Sequence, residues 1–313
     1  MKMSDMPASP PHAAAIPDIV INDAIQPFHL TNSPVRGRLV RLGGLADAIL
    51  SRKALGAAAH LGGQALSLVA GMSAGLKFEG ALSLQVKGDG PVSLLVADST
   101  HDGAVRLYVR LTEDDRLRDP PETTPRADMM FGKGYFAFTI DQGPETDRQQ
   151  GIVTLEGESL SEMAAHYFAT SEQLPTSIRL FSRFQDGKWE AGALLLERIA
   201  DEGGRESHDA EEDHWETAKT LAATLTAEEV FNPHLTHSAL LYRVFGTLGV
   251  AVAAPRPARF GCRCAREKLL SVLRNFGDDD LDEMAENGVI TMSCEFCGVD
   301  YRFDRNNIAP DPV

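Results

Sequence analysis

Cysteine is nearly missing from this chain: there are four in 313 residues, and none before residue 262. Residues 1–261 therefore cannot be stapled by disulfides, and their stability must come from an apolar core. Apolar residues make up 43% of the chain, which is enough to build one. Long apolar runs are missing too. Leu61–Leu76 and Phe245–Ala254 come nearest, but glycine breaks them or they fall short of the ~18 residues a membrane helix needs. Residues 1–18 hold one lysine, four prolines and no apolar stretch, so they lack the h-region of a secretory signal and read as a disordered tail. A cytoplasmic protein is expected. Basic residues are scarce as well, 30 Lys and Arg against 45 Asp and Glu, a net charge of −15. That balance argues against nucleic acid or an anionic membrane as the main partner of the whole chain. There is no phosphate-binding Gly-x4-Gly-Lys-Ser/Thr, no Gly-x-Gly-x-x-Gly and no His-Glu-x-x-His. Gly88-Asp89-Gly90 and Gly132-Lys133-Gly134 resemble phosphate loops only superficially.

What is present reads as a mixed α+β chain with a sheet-rich N-terminal part. A strand is predicted from about Phe28 to Leu42. Ala46–Arg52 and Ala54–Gly71 are predicted helices, weakened on propensity by Gly62, Gly63 and Gly71. Alternating apolar residues predict strands at Gly80–Lys87, Val92–Ala97, Ala104–Leu111, Tyr135–Ile140 and Gly151–Leu155. Ser159 with Glu162 makes a capping box for a helix over Leu160–Phe168. Asp186-Gly187 turns a hairpin between Ser177–Phe184 and Lys188–Ile199. Met72, Leu76 and Phe78 read as core, as does the apolar stretch Val244–Val252. Asp98, His101 and Asp102 read as a polar hairpin end.

The composition shifts near residue 200. Residues 201–216 hold eight acids and one arginine, a local charge of −7, and read as a solvated linker. Short helices follow at Trp215–Leu225, Ala227–Phe231 and Thr236–Phe245, with Thr226 and Thr236 as caps. His234 and His237 form a His-x-x-His, with His208 and His214 nearby; exposed helix histidines are the simpler reading. The expected division is a tail at 1–24, a core at 25–200, an acidic and helical linker at 201–255 and a small module at 256–313. The stretch from about Phe28 to Ile199 is expected to fold without the cysteines.

All four cysteines fall in the last part. Cys262-Arg263-Cys264 is followed, after 29 intervening residues, by Cys294-Glu295-Phe296-Cys297-Gly298. Four thiolates from two short clusters are a complete tetrahedral set for zinc, with no position left for a substrate. Residues 258–304 are too few for a stable core of their own, so their folding should depend on a metal. Arg266–Phe276 and Asp278–Glu286 are predicted helices, and Val289–Met292 and Val299–Phe303 predicted strands. Residues 259–274 carry five basic groups and one acid, a charge of +4, and such cations favour thiolate, hence both metal binding and oxidation. A structural zinc site, a redox-responsive one and a metal-free one all remain open on these residues alone. A zinc-ribbon binder of nucleic acid or ribosomes, using the +4 stretch, and a thiol–disulfide oxidoreductase are the competing classes.

The sequence resembles the thirty-three-kilodalton heat-shock chaperonin family, the redox-regulated holdases of bacteria. The likeness runs through Val35–Val40 (VRGRLV), Leu76–Pro91 (LKFEGALSLQVKGDGP), Val92–Asp98 (VSLLVAD), Gly134–Thr139 (GYFAFT), Gly151–Gly157 (GIVTLEG), Tyr167–Thr176 (YFATSEQLPT) and the cysteine pattern. The proline-rich N-terminus and the acidic insert depart from it. The resemblance implies a non-enzymatic, ATP-independent chaperone that keeps unfolding clients from aggregating. It implies one zinc on Cys262, Cys264, Cys294 and Cys297 in the inactive, reduced form. Oxidation would join Cys262 to Cys264 and Cys294 to Cys297, release the metal, unfold the module and linker, and yield a homodimer.

Overall fold

The computed structural model describes residues 23–31, 33–52, 54–76, 79–113, 124–143, 146–199 and 208–308. Phe78, the N-terminal tail and residues 201–207 of the acidic run lie outside the described residues. Two large sheets face each other across one helix. The first contains β1 (Ala24–Leu30), β2 (Val35–Leu42), β8 (Thr176–Gln185), β9 (Lys188–Arg198) and β10 (Val250–Val252), in the order β10-β1-β2-β9-β8, with β11 (Arg256–Pro257) also pairing β1. The second contains β3 (Ala81–Gly88), β4 (Val92–Thr100), β5 (Ala104–Leu111), β6 (Gly134–Asp141), β7 (Gln149–Thr154) and β12 (Arg259–Phe260), in the order β12-β5-β4-β3-β6-β7. All pairings within the two sheets are antiparallel except β12 with β5. The sheet-rich α+β class is thus as the sequence suggests, although the predicted strand from Phe28 is two strands, broken at Ser33-Pro34.

The helix between the sheets is α2 (Ala58–Ser73), with fifteen of its sixteen residues buried. Three of its four polar side chains are bonded inside: His60 to Ser182 (2.8 Å), Ser67 donating to the Gly192 carbonyl (2.9 Å) and Ser73 with Ser99 (2.6 Å). The glycines that weaken it on propensity are what let it fit. A Cβ on Gly71 would stand 2.5 Å from Leu195 Cδ1 and 3.0 Å from Val40 Cγ2, and one on Gly62 would stand 2.8 Å from Leu107 Cδ2. Close packing against two sheets overrides the loss of helix propensity. A shorter helix, α1 (Gly44–Leu50), closes one end of this core, and α3 (Ala127–Phe131) and α4 (Leu160–Tyr167) pack on the other strands. Ser159 and Glu162 make the predicted capping box on α4.

The first sheet is buried on both faces. On β9, Ala191, Ala193 and Leu195 join the core around α2, while Leu194 and Leu196 point to a second apolar cluster. That cluster is roofed by α5 (His208–Ala223), α6 (Ala227–Val230) and α7 (His237–Phe245). Helix α5 begins within the acidic run and seats Trp215, Ala218 and Ala222 on the sheet. Thr226 and Thr236 cap α6 and α7 as predicted. Phe245 is fully buried and stacks on Phe28 with ring centroids 5.6 Å apart. After α7 the chain returns to β1, pairing Val250–Val252 with Phe28–Leu30.

Two outcomes follow from this packing. Gly71→Ala should destabilise the chain by about 1–3 kcal/mol in urea titration through overpacking, although at an open helix site the same change gains about 1 kcal/mol. A chain ended at residue 257 should melt cooperatively, whereas one ended at residue 200 bares Phe28, Leu39, Leu194 and Leu196 and should lose that cooperativity; thermal melts of both compare them.

Candidate metal centre

Beyond Pro257 the chain forms a small module. It consists of α8 (Arg266–Leu273), α9 (Asp278–Met284) and the hairpin β13 (Val289–Ser293) with β14 (Asp300–Asp304). Its buried apolar centre is only Leu273, Leu281, Ile290, Phe303 and Ile308. Cys262 and Cys264 sit in the loop between β12 and α8, and Cys294 and Cys297 in the turn between β13 and β14. That turn is closed by the Gly298 amide donating to the Cys294 carbonyl (2.7 Å) and the Cys294 amide donating to the Val299 carbonyl (2.9 Å). Gly298 has φ +70°, which explains a glycine directly after the second cysteine pair.

The fold brings all four sulfurs together, each within 4.8 Å of the others, and all four residues are half-buried. The short contacts run between the two motifs: Cys262 Sγ to Cys294 Sγ is 3.6 Å and Cys264 Sγ to Cys297 Sγ is 3.5 Å. Desolvation first, and the neighbouring sulfurs after it, push the Cys297 thiol up to about 12. Four thiolates this close repel one another, and a divalent cation among them reverses that balance. The donor set is therefore able to hold a metal ion. Among the described residues it is the one His, Cys, Asp or Glu grouping with that geometry. Among the described residues the histidines do not gather into a second metal grouping. His234 is exposed, but His237 is buried, against the expectation of an exposed helix residue, and burial and then Arg41 hold it down at about 4. Its neighbours on the sheet face, rather than its place in the sequence, decide that.

Three contacts were not legible from the cysteine spacing. The Tyr301 hydroxyl lies 3.2 Å from Cys264 Sγ and donates to it, a bond that pushes the phenol up to about 12. Arg263, between the first two cysteines, reaches Asp98 on β4 with Nη2 to Oδ2 at 2.8 Å. Phe296, inside the second pair, packs against Arg106 on β5, whose guanidinium carbon lies 3.9 Å from the ring centroid. Asp98 is thus not part of a polar hairpin end: it is 4% exposed in the middle of a strand, while His101 and Asp102 do sit at the turn. Arg263 between two cysteines is visible in the sequence, but nothing local pairs it with Asp98, which lies 165 residues away.

A sheet-rich α+β core carrying a four-cysteine module is a combination with known relatives. The family model described as Hsp33 protein matches residues 23–304. The 33 kDa chaperonin of Caulobacter vibrioides is 36% identical over 299 residues, covering 91% of this chain and 96% of its own. That of Shewanella woodyi is 36% identical over 293 residues, covering 92% and 94%. The crystal structure of the 33 kDa chaperonin of Thermotoga maritima superposes with a TM-score of 0.74 at 23% identity, covering 91% of this chain and 96% of that one, and so agrees in fold. The chain belongs to the Hsp33 family of chaperonins, which are non-enzymatic holdases. No helix among the described residues is long and apolar enough to cross a membrane.

Metal uptake by this cluster should displace protons, because a metal binds thiolate and burial pushes the Cys297 thiol up. Adding one equivalent of a thiophilic divalent cation to reduced, metal-stripped protein should release protons in a pH-stat at neutral pH. A release near zero would mean that the cysteines are not the ligands.

Proposed function

We propose that this protein is a redox-regulated, ATP-independent holdase, silent when reduced and activated by oxidation of its four cysteines. The observation that carries the reading is the sulfur cluster at the root of a module with five buried apolar side chains. Cys262, Cys264, Cys294 and Cys297 would hold one zinc. A tetrahedron with Zn–S bonds of ~2.3 Å has edges of about 3.8 Å, and the cross-motif sulfur contacts of 3.6 and 3.5 Å fit it. When bound, zinc supplies a cross-link between the two motifs and no open coordination position for chemistry.

Oxidation acts on the sulfurs. The two thiols of one motif give two electrons and two protons to a peroxide, form one S–S bond and leave two waters. We assign Cys262–Cys264 and Cys294–Cys297 as the pairs. The family resemblance supports that pairing, and in a loosening chain the shortest loops close at least entropic cost. Disulfide sulfurs no longer hold the cross-link, and the apolar centre of the module is too small to stand alone. The strain then passes to the roof. β11 and β12 tie the module to β1 and β5, and α7 with β10 lies just before them. Loosening these residues uncovers Val244 and Phe245 and the sheet face beneath, which offers apolar surface to unfolding clients. That same surface makes association of two oxidised copies into a homodimer the expected state. Reducing thiol systems of the cytoplasm, the compartment we assign, reverse the change.

The competing classes fare worse. Three of the five basic groups in the stretch that a nucleic-acid or ribosome binder would use make contacts within the chain. Arg259 pairs with Asp102, Arg263 with Asp98, and Arg266 lies over the Phe303 ring at 4.4 Å. The Cys-x-x-Cys lies between two strands and not at a helix start, where an oxidoreductase keeps its low-pKa thiol.

The test is light scattering of a thermally unfolding client in the presence of reduced or peroxide-treated protein, with zinc and disulfides assayed in the same samples. The reduced protein should hold one zinc and leave aggregation unchanged. The oxidised protein should hold none, carry the two within-motif disulfides and suppress aggregation. Cross-motif disulfides would overturn the pairing, and equal suppression by both forms would overturn redox control.

A further inference from the structure

Besides β12 and the Arg259–Asp102 pair, the residues lying between the cysteines dock the module on the core. Arg263 separates Cys262 from Cys264, and Phe296 lies between Cys294 and Cys297. Both meet the same place on the second sheet, on the face turned away from α2. Asp98 Oδ2 accepts from Arg106 Nε at 2.7 Å and from Arg263 Nη2 at 2.8 Å, and Asp98 Oδ1 accepts from Ser83 Oγ at 2.6 Å. Arg106 turns its edge to Asp98 and its face to the Phe296 ring at 3.9 Å, and Tyr108 flanks that ring with centroids 6.1 Å apart. Asp98 is 4% exposed, so its charge is shielded from water and the second guanidinium is a strong partner.

We propose that Asp98 and Arg106 form a receptor on the core sheet for the two cysteine motifs, with Asp98 a positioning residue that acts on the metal centre through Arg263. The inference rests on the reading of the cluster as a metal site. Arg263 and Phe296 come from segments 33 residues apart and converge on one pair of core side chains only while the two motifs are held together. Gathering the sulfurs therefore presents both docking residues, and docking in turn holds the sulfurs gathered. Such coupling is reciprocal: whatever factor metal adds to docking, docking adds to metal affinity. The core thereby helps set how readily the centre opens, and the opened centre withdraws both residues from the core at once.

The experiment uses the full-length reduced chain and its Asp98→Asn and Arg263→Gln variants. The first changes the core side of the contact, and the second the module side. Hydrogen exchange in peptides covering 258–264 and 294–298 should rise severalfold in both variants, while 58–73 in α2 keeps its protection. Transfer of zinc to a chromophoric chelator should be at least about fivefold faster in each. The double variant should be little faster than either single one, because both remove one contact. Unchanged exchange in 258–264 in Arg263→Gln, or additive effects in the double variant, would overturn the receptor. Exchange that rises in α2 with Asp98→Asn while Arg263→Gln behaves as wild type would also overturn it. If the wild-type chain carries no zinc, the metal reading fails, and the exchange comparison still decides the docking.

Discussion

Four sulfurs gathered within 4.8 Å are able to hold a metal ion, and a cation among four thiolates would turn their mutual repulsion into a cross-link for the C-terminal module. Its own apolar centre is five side chains, and no disulfide or second metal cluster supports it among the described residues. Proteins of this size normally draw stability from burial. Here burial is concentrated in the two sheets and α2, and on the function proposed above the module is held instead by chemistry that an oxidant can reach. That difference would let one part open while the other stays folded.

The two parts are not independent bodies. The first sheet is covered on one face by α2 and on the other by α5, α6 and α7, so segments early and late in the sequence share one layer. The second sheet takes the module through β12 and through Asp98 and Arg106. A change at the cysteines thus meets the core at two places, a strand edge and a buried ion pair, before it reaches the helices that roof the first sheet.

Much of this was legible in the sequence, and the remainder has physical reasons. The strands of the second sheet alternate cleanly and were placed within a few residues. The Ser159–Glu162 capping box and the Asp186-Gly187 turn did form; both are local signals that need no tertiary partner. The cysteine set was legible because metal-ligand spacing is short-range. Strands β10, β11 and β12 were missed because two or three residues carry no period, and each exists only by pairing with a strand already formed. Asp98 was misjudged, and Arg106 passed without notice, because a charged residue on an alternating strand looks like any solvent-facing one, until a distant segment covers it. His237 was misjudged for the same reason, with the sheet as the cover.

The antiparallel return of β10 to β1 joins the strand that opens the described chain to residues 250–252. A ribosome adds residues at roughly 5–20 per second, and β1 is among the earliest to emerge. Among the described residues its outer edge has no partner until residues 250–257 have been made. Each newly made copy therefore passes through a stage in which β1 is an open edge and the face it shares with Leu39 and Leu194 lacks its roof. During its own synthesis, a protein of this family briefly presents the same kind of surface that its clients do.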